Sequence, residues 1–468
     1  MNFQLVMLGT DKLIFLLLAV AIAGAWLIRQ RPHLLLPWQR LFKSRVGMVS
    51  LLILSLFVVI GLLDSIHYRV ALPETNNSKT RYAAEVLSVF DALVNDLRTK
   101  TEKTYSAPLA VYLYAKESME TAEGKTLRDY PRLKFGGAHL ADPQSGHMND
   151  VIKRSLLGVF AGWLGGVLLA LLIVSFAAAR SRTTVRAWVE ARQDTPLNTM
   201  LATIVLLAML IGLIANLAGA YHVLGTDKVG QDVLYLSLKS IRTGLVIGTV
   251  TTLVMLPFAL FFGIAAGYFR GWVDDVIQYI YTVLSSIPDV LLIASAVLMM
   301  QVTIEKHAEW FSSSIERADL RLLFLCLILG VTSWTGLCRL LRGEALKLRE
   351  LEYIQAAQSF GVSSVRIMSR HILPNVMHIV LIAVVMNFSM LVLAEAVLSY
   401  VGVGVDPSTN SFGTLINNAR LEMGREPMVW WTLAAAFSFM LVLVLAANLF
   451  ADAVRDAFDP RLNRTGDL

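Results

Sequence analysis

Chemistry by a protein chain needs nucleophiles, bases, phosphate cradles or metal ligands at workable spacing, and this 468-residue sequence offers few. Gly124-Lys125-Thr126 has the ending of a phosphate-binding loop, in which backbone N–H groups and a lysine hold phosphates. The full motif requires a glycine five residues before Gly124, and Met119 stands there. No His/Glu cluster has metalloprotease spacing, and no Gly-x-Ser-x-Gly elbow occurs. Cys326 and Cys338 share one apolar stretch, too far apart along a helix to be bridged, and read as small apolar packers. One carboxylate stands out. Asp289 follows Pro288 inside an apolar block, where a charge is costly unless it faces a wet cavity or a partner. Pro288 also frees a backbone carbonyl. Asp289 is therefore a candidate for lining a pathway, with a protonated or hydrogen-bonded structural Asp as the alternative. The sequence predicts no catalytic residue, no metal and no cofactor.

The elements around these residues are built for lipid. Hydrophobic residues make up 56% of the chain and charged residues 16%, against about 25% charged in soluble domains. The net charge of +6 does not imply nucleic acid, because the basic residues gather beside apolar blocks, as in membrane proteins. Blocks long enough to cross a bilayer run at 12–28, 46–64, 151–179, 199–220, 241–267, 279–302, 321–341, 377–398 and 429–451. Nine spans predict an all-α membrane protein with its termini on opposite sides. Basic short loops lie in the cytoplasm. These are the Arg29, Arg31, Arg40, Lys43, Arg45 stretch, the loop 180–198 with Arg180, Arg182, Arg186 and Arg192, and the stretch 339–376. The acidic loop 303–320, with Glu305, Glu309, Glu316 and Asp319, belongs outside. This orientation puts the N-terminus outside and the C-terminus in the cytoplasm. Ala19-Val20-Ala21 resembles a signal-peptidase site, but cleavage there would leave the Arg29–Arg45 cluster outside. An uncleaved span is preferred.

Domains follow from this map: 1–45, an extra span with a basic loop; 46–64, a first core span; 65–150, an extracytoplasmic insertion; 151–220, two extra spans; 221–455, a core with a cytoplasmic loop at 342–376; and 456–468, a tail. In the insertion, Ala83, Val86, Leu87, Phe90, Leu93, Val94 and Leu97 recur at three- and four-residue steps, which predicts an amphipathic helix. The stretch 131–150, rich in Gly, Pro, His and Asp, reads as loop. Gly158, Gly162 and Gly166 make one small-residue face for close helix packing, and Gly263 and Gly267 repeat it.

The segment Glu344–Pro374 carries the clearest design. A charged helical stretch with Glu350 and Glu352 leads to Gln355, Ala356 and Ala357, and Gly361 breaks it. A second amphipathic piece, Val362–Ile372, opens at Ser363 or Ser364 as cap and ends at Leu373-Pro374. Two short helices at an angle are predicted, with small residues that let a partner surface approach. Gln355-Ala-Ala-x-x-x-Gly361 followed by His371-Ile-Leu373-Pro374 resembles the "EAA" loop of ATP-binding-cassette importer permeases. Gln355 stands where that family has Glu, and His371 where it has Ile. Leu224-Gly225-Thr226-Asp227-Lys-Val-Gly230-Gln231-Asp232 is similar to an element of the oligopeptide/dipeptide/nickel-type permeases, with Gln231 in place of Arg. Gly267–Asp274, Ala394–Pro407 and Asp456–Arg461 resemble further elements of that group, so the likeness covers about 221–463 plus the span 46–64.

The resemblance implies a six-helix core and three extra helices in the bacterial inner membrane. It implies a coupling helix in the loop, which fits a groove of a separate ATPase and transmits its closure. The implied partners are a second permease subunit, two cytoplasmic ATP-binding subunits and an extracytoplasmic solute-binding protein. The last would work near Gly225, Thr226, Asp227, Gly230, Asp232, Gly402 and Gly404, with Glu395 structural or gating. Peptides or a related small solute are the implied cargo. Two other classes compete: an ion-coupled secondary transporter using Asp289, and a non-transporting sensor or scaffold whose receiving domain is 65–150.

Overall fold

In lipid, an apolar run can satisfy its backbone by coiling into a helix, and the long apolar blocks do so. The computed structural model describes residues 3–30, 32–72, 82–120, 126–181, 196–307, 309, 311 and 313–458. Gly124-Lys125, Arg31, Arg182, Arg186, Arg192 and the tail from Asp459 lie outside the described residues. Strand β1 (Phe3–Val6) leads into α1 (Gly9–Arg29), the short α2 (Pro32–Lys43) and α3 (Arg45–Asp64). The insertion holds β2 (His67–Val70), β3 (Leu87–Ser88), α4 (Val89–Leu93), α5 (Asn95–Thr99), β4 (Glu117–Glu120) and β5 (Thr126–Asp129). Helices α6 (Pro143–Arg180) and α7 (Leu197–Ala218) follow as a hairpin. The core comprises α8 (Val233–Phe269), α9 (Gly271–Ser286), α10 (Asp289–Lys306) and α11 (Ser314–Arg349). After α12 (Glu352–Ser359) and α13 (Ser364–Ile367), the core closes with α14 (Leu373–Tyr400), α15 (Phe412–Glu422) and α16 (Trp431–Phe458).

Eight described helices are long and apolar enough to cross a bilayer, and the pair α9–α10 supplies a ninth crossing if counted as one. That pair departs from the single span expected at 279–302, because its halves meet at 86°. The cause is local. Pro288 lacks an N–H and biases Ile287 away from helical angles, and Ile287 sits extended at φ −88, ψ 132. Helices α8 and α11 form the most extensive pairing in the chain. Glycine permits it: a Cβ on Gly267 would lie 2.5 Å from Ala345 Cβ, and one on Gly263 2.8 Å from Leu341 Cβ. The Gly158/Gly162/Gly166 face meets α7 in the same way, a Cβ on Gly158 falling 2.6 Å from the Gly212 carbonyl oxygen.

The insertion departs from the helix that its periodicity predicts. Residues 87–88 pair as a strand, and the helix that follows is cut in two at Val94 (φ −108, ψ 30). Ser88 starts α4 as a capping box with Asp91, so the chain before it stays extended. Strand β2 pairs antiparallel with β1 on one side and β3 on the other, with Val6 opposite His67 and His67 opposite Ser88. The N-terminal strand thus belongs to the insertion's sheet, and β4 and β5 form a separate hairpin.

Candidate functional site

At one end of the bundle, the loop between α11 and α14 folds from its sequence with little ambiguity. Helix α12 runs from Glu352, whose carboxylate stands at the favourable end of the helix dipole, to Ser359. Gly361 then takes φ +73, the Gly361 N–H donates to the Gln358 carbonyl at 3.0 Å, and the Val362 N–H donates to the Ala357 carbonyl at 3.1 Å. This paired bonding is the Schellman termination, which wants glycine at the left-handed position. A Cβ there would meet nothing within 4 Å, so conformation within this chain, and not contact, requires the glycine. Ser363 occupies the cap position of α13 without a side-chain cap bond. A π-helical turn at Met368–Ile372 joins α13 to α14 without a break, so Ser364–Tyr400 runs as one helix and the piece expected to end at Leu373-Pro374 continues past it, the wider π-turn accommodating Pro374.

Three isoleucines, Ile354, Ile367 and Ile372, are fully buried under the loop and fasten it to the main core, with Ala357, Val362 and Leu373 packed beside them. Asp274 takes both Arg342 nitrogens, Nε at 2.5 Å and Nη2 at 2.7 Å. Arg349 donates to the Tyr268 carbonyl at 2.7 Å and lies over its ring. Glu350 pairs with Arg270. The turn Gly267–Asp274 is therefore the loop's footing.

What the loop shows to the outside differs from what the sequence singled out. Ala356 is exposed and Ala357 half-buried, while Gln355 is exposed and donates to the Glu350 carbonyl at 3.2 Å. The largest exposed apolar surfaces are Phe360, 87% exposed, and Val365, 71% exposed, on either side of Gly361. Neither was singled out by sequence. Their only signal was a large apolar residue beside a helix-ending glycine in a charged segment.

At the opposite end, Gly225, Thr226, Gly230 and Asp232 come together but are buried. Gly225 and Gly230 have positive φ, +72 and +76, and a Cβ on either would overlap the backbone of the insertion at Ser106 or Glu102. Asp232 caps α8, accepting from the Leu234 N–H at 2.8 Å and pairing with His222 Nδ1 at 2.8 Å. The Glu102 carboxylate accepts the N–H groups of Lys134 (2.8 Å), Phe135 (2.7 Å) and Gly136 (3.1 Å). It faces His222 Nε2 at 3.5 Å, an ion pair too long for a good hydrogen bond. Burial opposes charge on both groups. The Asp232 and Glu102 carboxylates nevertheless hold the His222 pKa up at about 9, and His222 with the three N–H donors brings Glu102 down to about 2. Asp227 remains at the tip, its side chain accepting from the Val229 and Gln231 N–H groups.

Glu395 lies buried in α14 with the Ser399 hydroxyl donating to it at 2.6 Å. Gly402 (φ +86) turns the chain after α14, and Gly404 packs where a Cβ would fall 2.6 Å from Ser399 Cα. These three belong to the end of α14 and the turn that follows it, and not to the Gly225–Asp232 cluster. Asp289 is the exposed first residue of α10, just past the 86° break.

Residues 259–464 match the family described as "Binding-protein-dependent transport system inner membrane component". Over 242 residues the chain is 32% identical to the oligopeptide transport system permease protein OppC of Mycobacterium bovis, covering 52% of this chain and 77% of that one. Over 243 residues it is 32% identical to the glutathione transport system permease protein GsiD of Pectobacterium atrosepticum, covering 52% and 73% respectively. Among solved structures, an inward-facing MetNI methionine ABC transporter chain aligns over 48% of this chain and 97% of its own, with 15% identity and a TM-score of 0.37.

Proposed function

The chain belongs to the binding-protein-dependent transport system inner membrane component family, as a permease subunit of an ABC importer, and on that premise we propose how it works and what it carries. The cargo is a peptide or a related small solute, as the names of the relatives suggest. This subunit forms half of the translocation pathway beside a second permease. Two cytoplasmic ATP-binding subunits drive the pair, and an extracytoplasmic binding protein delivers solute at the insertion end. The N-terminus then lies outside and the C-terminus in the cytoplasm.

The observation that carries this reading is the 344–374 loop. Helix α12 is closed by a Schellman turn, seated on three buried isoleucines and footed on the Gly267–Asp274 turn, yet it holds out Phe360, Ala356 and Val365. An apolar knob on a rigid seat suits a groove in a moving partner, which would transmit motion to α11 and α14 as one body. The test is ATP-driven uptake by the reconstituted importer carrying Phe360→Ser or Ala356→Glu. Loss of uptake, with normal membrane insertion and with ATPase activity no longer stimulated by solute, is expected. Undiminished coupled uptake in both variants would defeat the assignment.

A further inference from the structure

Beneath the insertion lies a cavity of about 440 Å³, within the roughly 300–1,000 Å³ of small-molecule pockets. One wall is the insertion, with Glu85, Asp91 and Arg98. A second is the start of α8, with Tyr235, Lys239 and Arg242, and a third is the start of α11, with Ser314 and Asp319. Ser408, Thr409 and Asn410 also line it. Apolar patches from Val86, Leu97, Ile315 and Leu322 separate the charges.

The charges have two grades. Lys239 is locked between Asp64 at 2.6 Å and Asp91 at 3.1 Å, and Arg242 is locked to Asp11 at 2.6 Å. These pairs are largely buried and build the wall. Arg98 and Glu85 pair at 2.5 Å with side chains 23% and 66% exposed, so this pair is free to open toward a solute. Arg98 Nη1 donates to Glu85, and its Nε is buried with no hydrogen-bond partner among the described residues, so this guanidinium is only partly satisfied.

A wall carrying both signs, with apolar surface between, selects against a simple anion, which its carboxylates repel, and against a simple cation, which its guanidinium groups repel. No cluster of three or more potential metal ligands occurs among the described residues. A zwitterion presents a carboxylate to bases and an ammonium to acids. We propose that this cavity binds a small zwitterionic solute, a short peptide or an amino acid, with its carboxylate on Arg98 and its ammonium on Glu85. The choice of a peptide-type solute rests on the importer reading.

The experiment is saturation-transfer NMR on the full chain in nanodiscs, with dialanine, dialanine amide, N-acetyldialanine and alanine as probes. Saturable transfer to dialanine is expected. Arg98→Gln should weaken dialanine tenfold or more but leave the amide unchanged, and Glu85→Gln should weaken dialanine but leave the N-acetyl form unchanged. Competition by alanine as strong as by dialanine assigns the site to amino acids, and weak competition assigns it to peptides. No saturable transfer in the wild type, or equal losses for charged and blocked probes, overturns the site. Failure of the importer reading would look different: uptake independent of ATP, with the charge-selective binding intact.

Discussion

The two ends of this bundle are fastened by different physics. At the insertion end, charges are buried in pairs: Asp11 with Arg242, Lys239 with Asp64 and Asp91, Asp232 with His222. Removing one partner leaves the other uncompensated in a dry setting, so such pairs act as locks. At the loop end, the outermost pair, Arg270–Glu350, has side chains 45% and 57% exposed and contributes little. The loop holds its shape through main-chain bonding at Gly361 and the buried isoleucines, with the Arg342–Asp274 ion pair beneath it. One end is a locked seat; the other is a small stiff device presented outward.

The largest expected break in that contrast is Asp11→Ala. It takes away the nearest carboxylate of Arg242, leaving Asp319 at 3.9 Å, and should cost up to about 3–5 kcal/mol, seen as a large fall in melting temperature or in folded yield. A melting point unchanged within error would show that the knot is not a lock. Next is pH. The His222 pKa is raised, so its contribution is complete below the unfolded value of 6.5 and is lost as pH rises through about 9. Glu102 is lowered, so its contribution is present above 4.5 and is lost as pH falls through about 2. Hydrogen exchange in 100–120 and 126–137 should therefore rise above pH 9 while that in 344–374 gains no such step, and His222→Gln should remove the difference. A flat profile in the wild type would contradict this. Gly361→Val comes third. It forces a β-branched residue to positive φ at about 1–2 kcal/mol, read as faster exchange confined to 352–367. Phe360→Ser is the smallest, with no change in melting temperature, since the side chain already faces outward. Measurable destabilisation would mean that Phe360 packs within the chain.

What the sequence made legible follows the same contrast. The loop was readable because its determinants are adjacent: Ala356, Ala357, Gly361 and Pro374 act on their own neighbours. The spans were readable because lipid enforces a long apolar run. The insertion was not, because its strands are four residues or fewer and β1 reaches β2 only across α1, α2 and α3. Nothing near Thr10 announces that its N–H will meet Asp319 at 3.2 Å across 309 positions. The 86° break at Ile287–Pro288 was half legible. Pro288 was noted, but a proline inside an apolar block is also compatible with a kinked, continuous span.

The knot at the N-terminus also sets a clock. Asp11 leaves the ribosome 231 residues before Arg242, its strongest partner. At the roughly 5–20 residues per second of synthesis, the carboxylate waits ~10–50 s. Strand β1 can meet β2 early and bring His67 to Asp11, but the Arg242 guanidinium arrives only after four spanning helices have been made, at the start of the fifth. Assembly of this chain therefore ends where its sequence begins.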